Sequence, residues 1–277
     1  MATTDPVAEL VRLSRGALGA AGLERRAVGE SVYFVSGEHD GTHGNHERSR
    51  SHRSHRTLVL LHGVNDHAGT WATVAGALAK THRLIIPDLA GHGESGPAAG
   101  SITLPLIVER LHEILKDEQP FTLLGNSMGG WVSILYTLAH PEQVERLILE
   151  SGGGLNIPLA VPLTATNRED ADLILRAVHG TRSLPAWAAD ALIARATDAP
   201  LVRLAGAEEH YVDGRLGEID VPTTVLWGVD DGVVTREHAE GLQRGIRGAE
   251  LVVIDGAAHI PHLQQPERFL ECLTAIC

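Results

Sequence analysis

Apolar residues in this chain come in short runs separated by longer amphipathic stretches. Thr57–Leu61, Leu84–Ile86, Phe121–Leu124, Thr223–Trp227 and Leu251–Ile254 are nearly continuous in Leu, Ile and Val, as strands buried on both faces must be. Residues 27–36 and 143–150 read as two further strands. Between the runs lie helical patterns. Thr4, Asp5 and Pro6 precede Val7, Leu10, Val11 and Ala17, a capped start followed by apolar residues on one face. Residues 103–117 and Trp131–Ala139 continue the alternation, and a last helix from Pro266 offers Phe269, Leu270, Leu273 and Ile276 to a core. Alternating strands and helices predict an α/β chain with a mostly parallel central sheet flanked by helices.

The pattern changes over residues 151–220. Asn167–Val178 spaces Ala171, Ile174, Leu175 and Val178 as a one-faced helix, and Ser183 with Pro185 opens a second containing Trp187, Ala188, Ala191 and Leu192. Short helices inserted between sheet strands predict a small helical cap. The expected division is a core of residues 1–150 and 221–277 with a cap insertion at 151–220. Residues 37–56 hold His39, His43, His46, His52 and His55 among Gly, Ser, Arg and Asn. Histidines this close could converge on a cation, but the segment has no apolar anchors to fix ligands, so a solvated connection is expected and no metal.

Composition narrows the function. The 277 residues, 43% of them hydrophobic, suffice for one large core. A formal charge of −12 leaves no basic patch for phosphates, which argues against nucleic acid as a partner. Acidic and basic residues interrupt the first turns of the chain, so neither a signal peptide nor a membrane span is expected. The two cysteines, Cys272 and Cys277, lie together near the C-terminus and suggest no disulfide framework, making a cytoplasmic location the expectation.

The chemistry gathers at Gly125-Asn126-Ser127-Met128-Gly129-Gly130, between an apolar strand and a helix. A serine flanked by glycines at such a junction is how a chain builds a tight elbow with an exposed hydroxyl. Upstream stand His62-Gly63-Val64 and Gly91-His92-Gly93-Glu94-Ser95; downstream stand Gly228-Val229-Asp230-Asp231 and Gly256-Ala257-Ala258-His259, each after a predicted strand. Nucleophile, acid and histidine therefore follow one another in that order.

From Thr57 onward the chain resembles the α/β-hydrolases, which have this order and these landmarks. The resemblance implies the α/β-hydrolase fold and a Ser-His-Asp triad: Ser127 as nucleophile, His259 as base and Asp231 as acid, with His262 and Asp230 as the competing histidine and carboxylate. Family members carry the acid three residues after the strand-ending glycine, which points to Asp231. They often have proline where this chain has Thr235. Backbone N–H groups of Val64 and Met128 would form the oxyanion hole, and Gly63, Asn126 and Trp187 would contact substrate. His62 would order the oxyanion loop, Asp88 and His92 would be structural, and Asp66 and His67 are expected to face solvent.

The activity implied is hydrolysis of a small-molecule carboxylic ester through an acyl-enzyme, without a cofactor. Gly-Asn-Ser-Met-Gly-Gly also resembles the elbow of hydrolases that cleave carbon-carbon bonds in ring-cleavage dienone acids. In those enzymes, however, tryptophan usually follows the histidine, where this chain has Ile260. Acyl transfer with the same triad and a non-catalytic, hydrolase-like receptor are the other readings.

Overall fold

The computed structural model describes residues 5–37, 56–180 and 184–277. The solvated connection expected at 37–56 therefore lies, apart from its two ends, outside the described residues.

The elements follow in chain order. Helix α1 (Pro6–Ala20) leads to strands β1 (Leu23–Val28), β2 (Ser31–Ser36) and β3 (Thr57–Leu61). Helix α2 (Ala72–Leu78), β4 (Arg83–Pro87), α3 (Leu104–Leu115), β5 (Phe121–Asn126), α4 (Met128–Ala139) and β6 (Val144–Glu150) come next. Helices α5 (Arg168–His179), α6 (Ala186–Ala194) and α7 (Pro200–Arg203) precede β7 (Thr223–Gly228). Helix α8 (Arg236–Gly245), β8 (Glu250–Ile254), α9 (Pro261–Gln264) and α10 (Pro266–Ile276) complete the chain.

Local chemistry sets several boundaries. The Asp5 carboxylate accepts the Val7 N–H at 2.9 Å and Pro6 opens α1, so the start expected from sequence is the observed one. Asn167 caps α5 by accepting the Asp170 N–H at 3.0 Å. The single strand expected over 27–36 is instead the end of one strand and all of another. Gly29 at φ +55° turns the chain there, and β1 and β2 pair antiparallel across it.

The eight strands form one sheet in the order β1-β2-β4-β3-β5-β6-β7-β8. Both pairings of β2 are antiparallel, and the remaining pairings are parallel. Successive residues of the central strands enter opposite layers. Val59 and Leu61 of β3 pack with Ile107 of α3, Val132 of α4 and Leu242 of α8, whereas Leu58 and Leu60 pack with Leu18 of α1, Val74 of α2 and Phe269 of α10. Strands covered on both sides must be apolar throughout, which is why they stand out in the sequence.

The chain leaves β3 toward β4 on one side and returns to β5 on the other. The carboxyl ends of β3 and β5 thus flank a switch point, where open α/β sheets hold ligands. Above it lies the segment between β6 and β7. There α5 and α6 share a small apolar cluster of Ala165, Ala171, Ile174 and Ala189, separate from the two cores. A backbone bridge between Ile102 and Leu204 ties this segment to the loop after β4.

Candidate active site

Strand β5 stops at Asn126, α4 starts at Met128, and Ser127 alone makes the turn, with φ +55° and ψ −118°. Such a backbone suits glycine far better than serine, so the hydroxyl is held at a cost in strain. Close packing enforces the turn. A Cβ on Gly125 would fall 2.1 Å from the Gly129 carbonyl oxygen, and one on Gly129 would fall 2.6 Å from the His62 and Leu61 oxygens. The Ser127 N–H is anchored on the Glu150 carbonyl at 3.0 Å.

Asp231 follows β7 and His259 follows β8. Both carboxylate oxygens of Asp231 lie on His259 Nδ1, at 3.1 and 3.0 Å. The Val233 and Val234 N–H groups donate to Oδ1 at 2.9 and 3.0 Å, fixing the carboxylate in a fully buried position. A carboxylate only accepts, so the neutral imidazole carries its proton on Nδ1 and keeps Nε2 as the free base nitrogen. Asp230 is exposed and contributes its backbone N–H to the Ala257 carbonyl.

Ser127 and His259 line one cavity of about 690 Å³ together with Gly63, Val64 and Asn126. Gly63 is needed for close approach, since a Cβ there would sit 3.2 Å from the Ser127 Cβ. Buried Asn126 also braces the site, because its amide donates to the His259 carbonyl at 3.0 Å and to the Glu150 carbonyl at 3.3 Å. Trp187 is not among the residues lining this cavity. It lines an adjoining cavity of about 450 Å³ that shares Leu10, Asn65, Leu163, His179 and Leu192 with the first.

Of the two expected oxyanion donors, Met128 follows the serine directly and Val64 lines the same cavity as Ser127. Met128 is the first residue of α4, where an N–H has no intrahelical acceptor. Val64 follows a peptide fixed by His62. The Leu89 N–H donates to His62 Nε2 at 3.0 Å, which leaves Nδ1 as the protonated nitrogen, donating to the Gly63 carbonyl at 2.7 Å. In a planar trans peptide the N–H points opposite the C=O, so holding the Gly63 carbonyl aims the Val64 N–H.

Asp66 and His67 do not face open solvent as the sequence suggests; both are half-buried and line the cavity. His67 caps the short 3₁₀ turn at Ala68–Trp71, its Nδ1 accepting the Gly69 N–H at 3.0 Å. Burial, the main influence on this imidazole, holds its pKa below the ordinary value. Asp88 is buried and accepts from the Ala68 N–H at 2.7 Å, the Glu94 N–H at 2.8 Å and the Arg15 guanidinium at 2.9 Å.

One buried constellation had no sequence signal. Glu150, at the end of β6, accepts both the backbone N–H and the Nδ1–H of His262, at 2.9 and 2.8 Å. His262 Nε2 lies 3.1 Å from the Thr70 hydroxyl, and the ring stacks on Trp71. His262 is thereby packed beneath the site and is not among the residues lining the cavity.

Residues 58–271 match the model of the alpha/beta hydrolase family. The chain belongs to that family. It is 27% identical over 288 residues to a monoacylglycerol lipase of Xenopus laevis, covering 90% of this chain and 83% of the lipase. It is 29% identical over 245 residues to a 2-hydroxy-6-oxononadienedioate/2-hydroxy-6-oxononatrienedioate hydrolase of Cupriavidus pinatubonensis, covering 77% of this chain and 83% of that enzyme. A membrane phospholipase A, described as a bacterial virulence factor, superposes with a TM-score of 0.80 at 24% identity, covering 98% of this chain and 90% of the phospholipase. This last likeness is one of fold. Among the described residues no helix is long and apolar enough to cross a membrane.

Proposed function

We propose that this hydrolase cleaves carboxylic esters through an acyl-enzyme. The observation that carries the reading is that the Ser127 elbow and His259 line one cavity, with His259 Nδ1 held by buried Asp231 and Nε2 left to act as base. His259 takes the Ser127 proton as the hydroxyl attacks the ester carbonyl, and Asp231 steadies the imidazolium. The Val64 and Met128 N–H groups receive the oxyanion, and the alcohol leaves with the proton from His259. Water then repeats the sequence and frees the acid. The α5–α7 segment serves as the cap that closes the site.

The likeness to a carbon-carbon hydrolase makes cleavage of dienone acids the second reading. Such anionic substrates call for a cation beside the nucleophile. Among the described residues Arg195 lines the adjoining cavity, but no Arg or Lys lines the one containing Ser127. Asp66 lines it instead, which disfavours an anion further. Arg168 is engaged with Asp172 and Asp190, and Arg176 is exposed. Comparing kcat/KM for an aryl ester and a ring-cleavage dienone acid tests the choice. The ester should be strongly preferred, and a large advantage for the dienone would overturn the reading.

A further inference from the structure

Helix α1 precedes the region that matches the family model, yet it forms part of the wall of the cavity containing Ser127. Its inner face is fixed to the core. Leu18 is fully buried, and Arg15 pairs with buried Asp88 at 2.9 Å and with Glu94 at 2.6 Å. These anchors define the helix's rotation, and they leave Leu10 and Leu13, each 54% exposed, at the cavity wall. A single exposed leucine is ordinary, but two standing one turn apart on a cavity wall form a continuous apolar patch.

Opposite them the cavity is walled by Leu163, Ile174 and Val178 from the segment after β6, and by Ile260 and Leu263 beyond the histidine. Leu10 also lines the adjoining cavity, whose mostly apolar wall includes Trp187 and Leu175, with His179 and Arg195 beside them. Asn126, Ser127 and His259 line the first cavity along with its apolar side chains, as do Asn65, Asp66, His67 and His179. An occupant that fits is a molecule with one reactive polar head and a long flexible apolar tail.

We propose that α1 forms an acyl-chain subsite, with Leu10 and Leu13 packing on the tail of a medium- or long-chain ester whose carbonyl lies at Ser127. The proposal rests on the ester reading and adds to it the substrate class and the element that selects it. A tail laid against these leucines gains roughly threefold to fourfold in affinity for each methylene removed from water. An acetyl group has no such tail to bury.

Two measurements test it on the full chain. The first is kcat/KM for p-nitrophenyl decanoate and p-nitrophenyl acetate, in the wild-type protein and in Leu10→Asp and Leu13→Asp. The wild type should prefer decanoate, and each variant should lower the decanoate-to-acetate ratio roughly tenfold, because a carboxylate replaces apolar contact surface. Two rates that change in step, leaving the ratio unmoved in a variant that retains its fold by circular dichroism, would overturn the proposal. The second is calorimetric binding of methyl decanoate, an uncharged ester with the same tail, to Ser127→Ala protein, with and without each Leu→Asp change. Weakened binding in the variants supports the subsite even where turnover is not read, and equal binding overturns it. Failure of the wild type to turn over either ester would instead count against the ester reading.

Discussion

The Glu150 carboxylate holds His262 twice, through the Nδ1–H on one oxygen and the backbone N–H on the other, with both side chains fully buried. Because His262 follows His259 by three residues, this contact ties the histidine loop to the end of β6. Asn126 ties the same loop to β5 through the His259 carbonyl. The imidazole is thus located from two neighbouring strands at once.

Removing Glu150 should therefore damage both stability and turnover. Glu150→Ala strands a buried N–H and a buried ring nitrogen, which costs about 3 kcal/mol or more. Urea unfolding should show that loss, and Glu150→Gln, which keeps an acceptor, should lose less. Equal stability of Glu150→Ala and wild type would mean the loop is held by other contacts.

Ser127 separates catalysis from stability. Ser127→Ala should lower ester turnover by roughly 10⁴-fold or more while the protein stays folded. Ser127→Gly should be equally inactive but more stable, by about 1 kcal/mol, because glycine accepts the positive φ of the elbow without strain. The serine makes no side-chain cap to α4, so no helix cap is lost in the exchange. A glycine variant less stable than wild type would argue against stored strain.

The adjacent carboxylates should behave differently. Asp231→Asn offers His259 an amide and can hold the wrong tautomer, so kcat should fall by roughly 10⁴-fold. Asp230 is exposed and contributes its backbone, so Asp230→Asn should leave kcat nearly unchanged. Steady-state rates on one aryl ester compare the two, and a crippled Asp230 variant beside an active Asp231 variant would reverse the roles.

Acid should weaken the fold through His92. Burial, then the neighbouring His62 ring, pushes its pKa down to about 3 from 6.5. Its ring sits 3.0 Å from the Ala90 carbonyl through Nδ1, while Nε2 is buried without a partner among the described residues. The unfolded chain therefore takes up this proton first. Stability should fall as pH drops from 6.5 toward 3, by at most about 1.4 kcal/mol per pH unit. His92→Gln, neutral throughout, should flatten the slope measured by urea unfolding at a series of pH values. Identical slopes in the two proteins would clear His92 of the effect.

What the sequence made legible follows from what is local. Strands β3, β5 and β7 are covered on both faces, so their apolar runs stand out, and the elbow is legible because its glycines are adjacent to its serine. The β1–β2 hairpin reads as one strand because a turn at Gly29 and Glu30 interrupts β-rich sequence without a conspicuous break. Glu150 and His262 lie 112 residues apart, and nothing in either neighbourhood announces the partner. Trp187 reads as a substrate contact on the strength of its place in a cap-like helix. The fold puts it in the adjoining cavity, with Leu10 of α1 lining both, and only tertiary packing could have revealed that wall.

His62 offers the sharpest test of how the oxyanion site is aimed. Its imidazole receives the Leu89 N–H on Nε2 and donates from Nδ1 to the Gly63 carbonyl, so one ring links the loops after β4 and β3. It is fully buried and is not among the residues lining the cavity, which rules out direct contact with a substrate there. Its influence on chemistry must pass through the Gly63–Val64 peptide. His62→Ala frees that peptide to rotate, and a misdirected oxyanion donor costs up to about 10²–10³ in kcat. The loss should fall on kcat with KM for a short ester little changed, because the donor acts on charge that develops in the transition state. His62→Asn, which can still donate to a nearby carbonyl, should recover part of the rate. A fall confined to KM, or no rescue by asparagine, would show that His62 acts by shaping the loop as a whole and not by aiming the Val64 N–H.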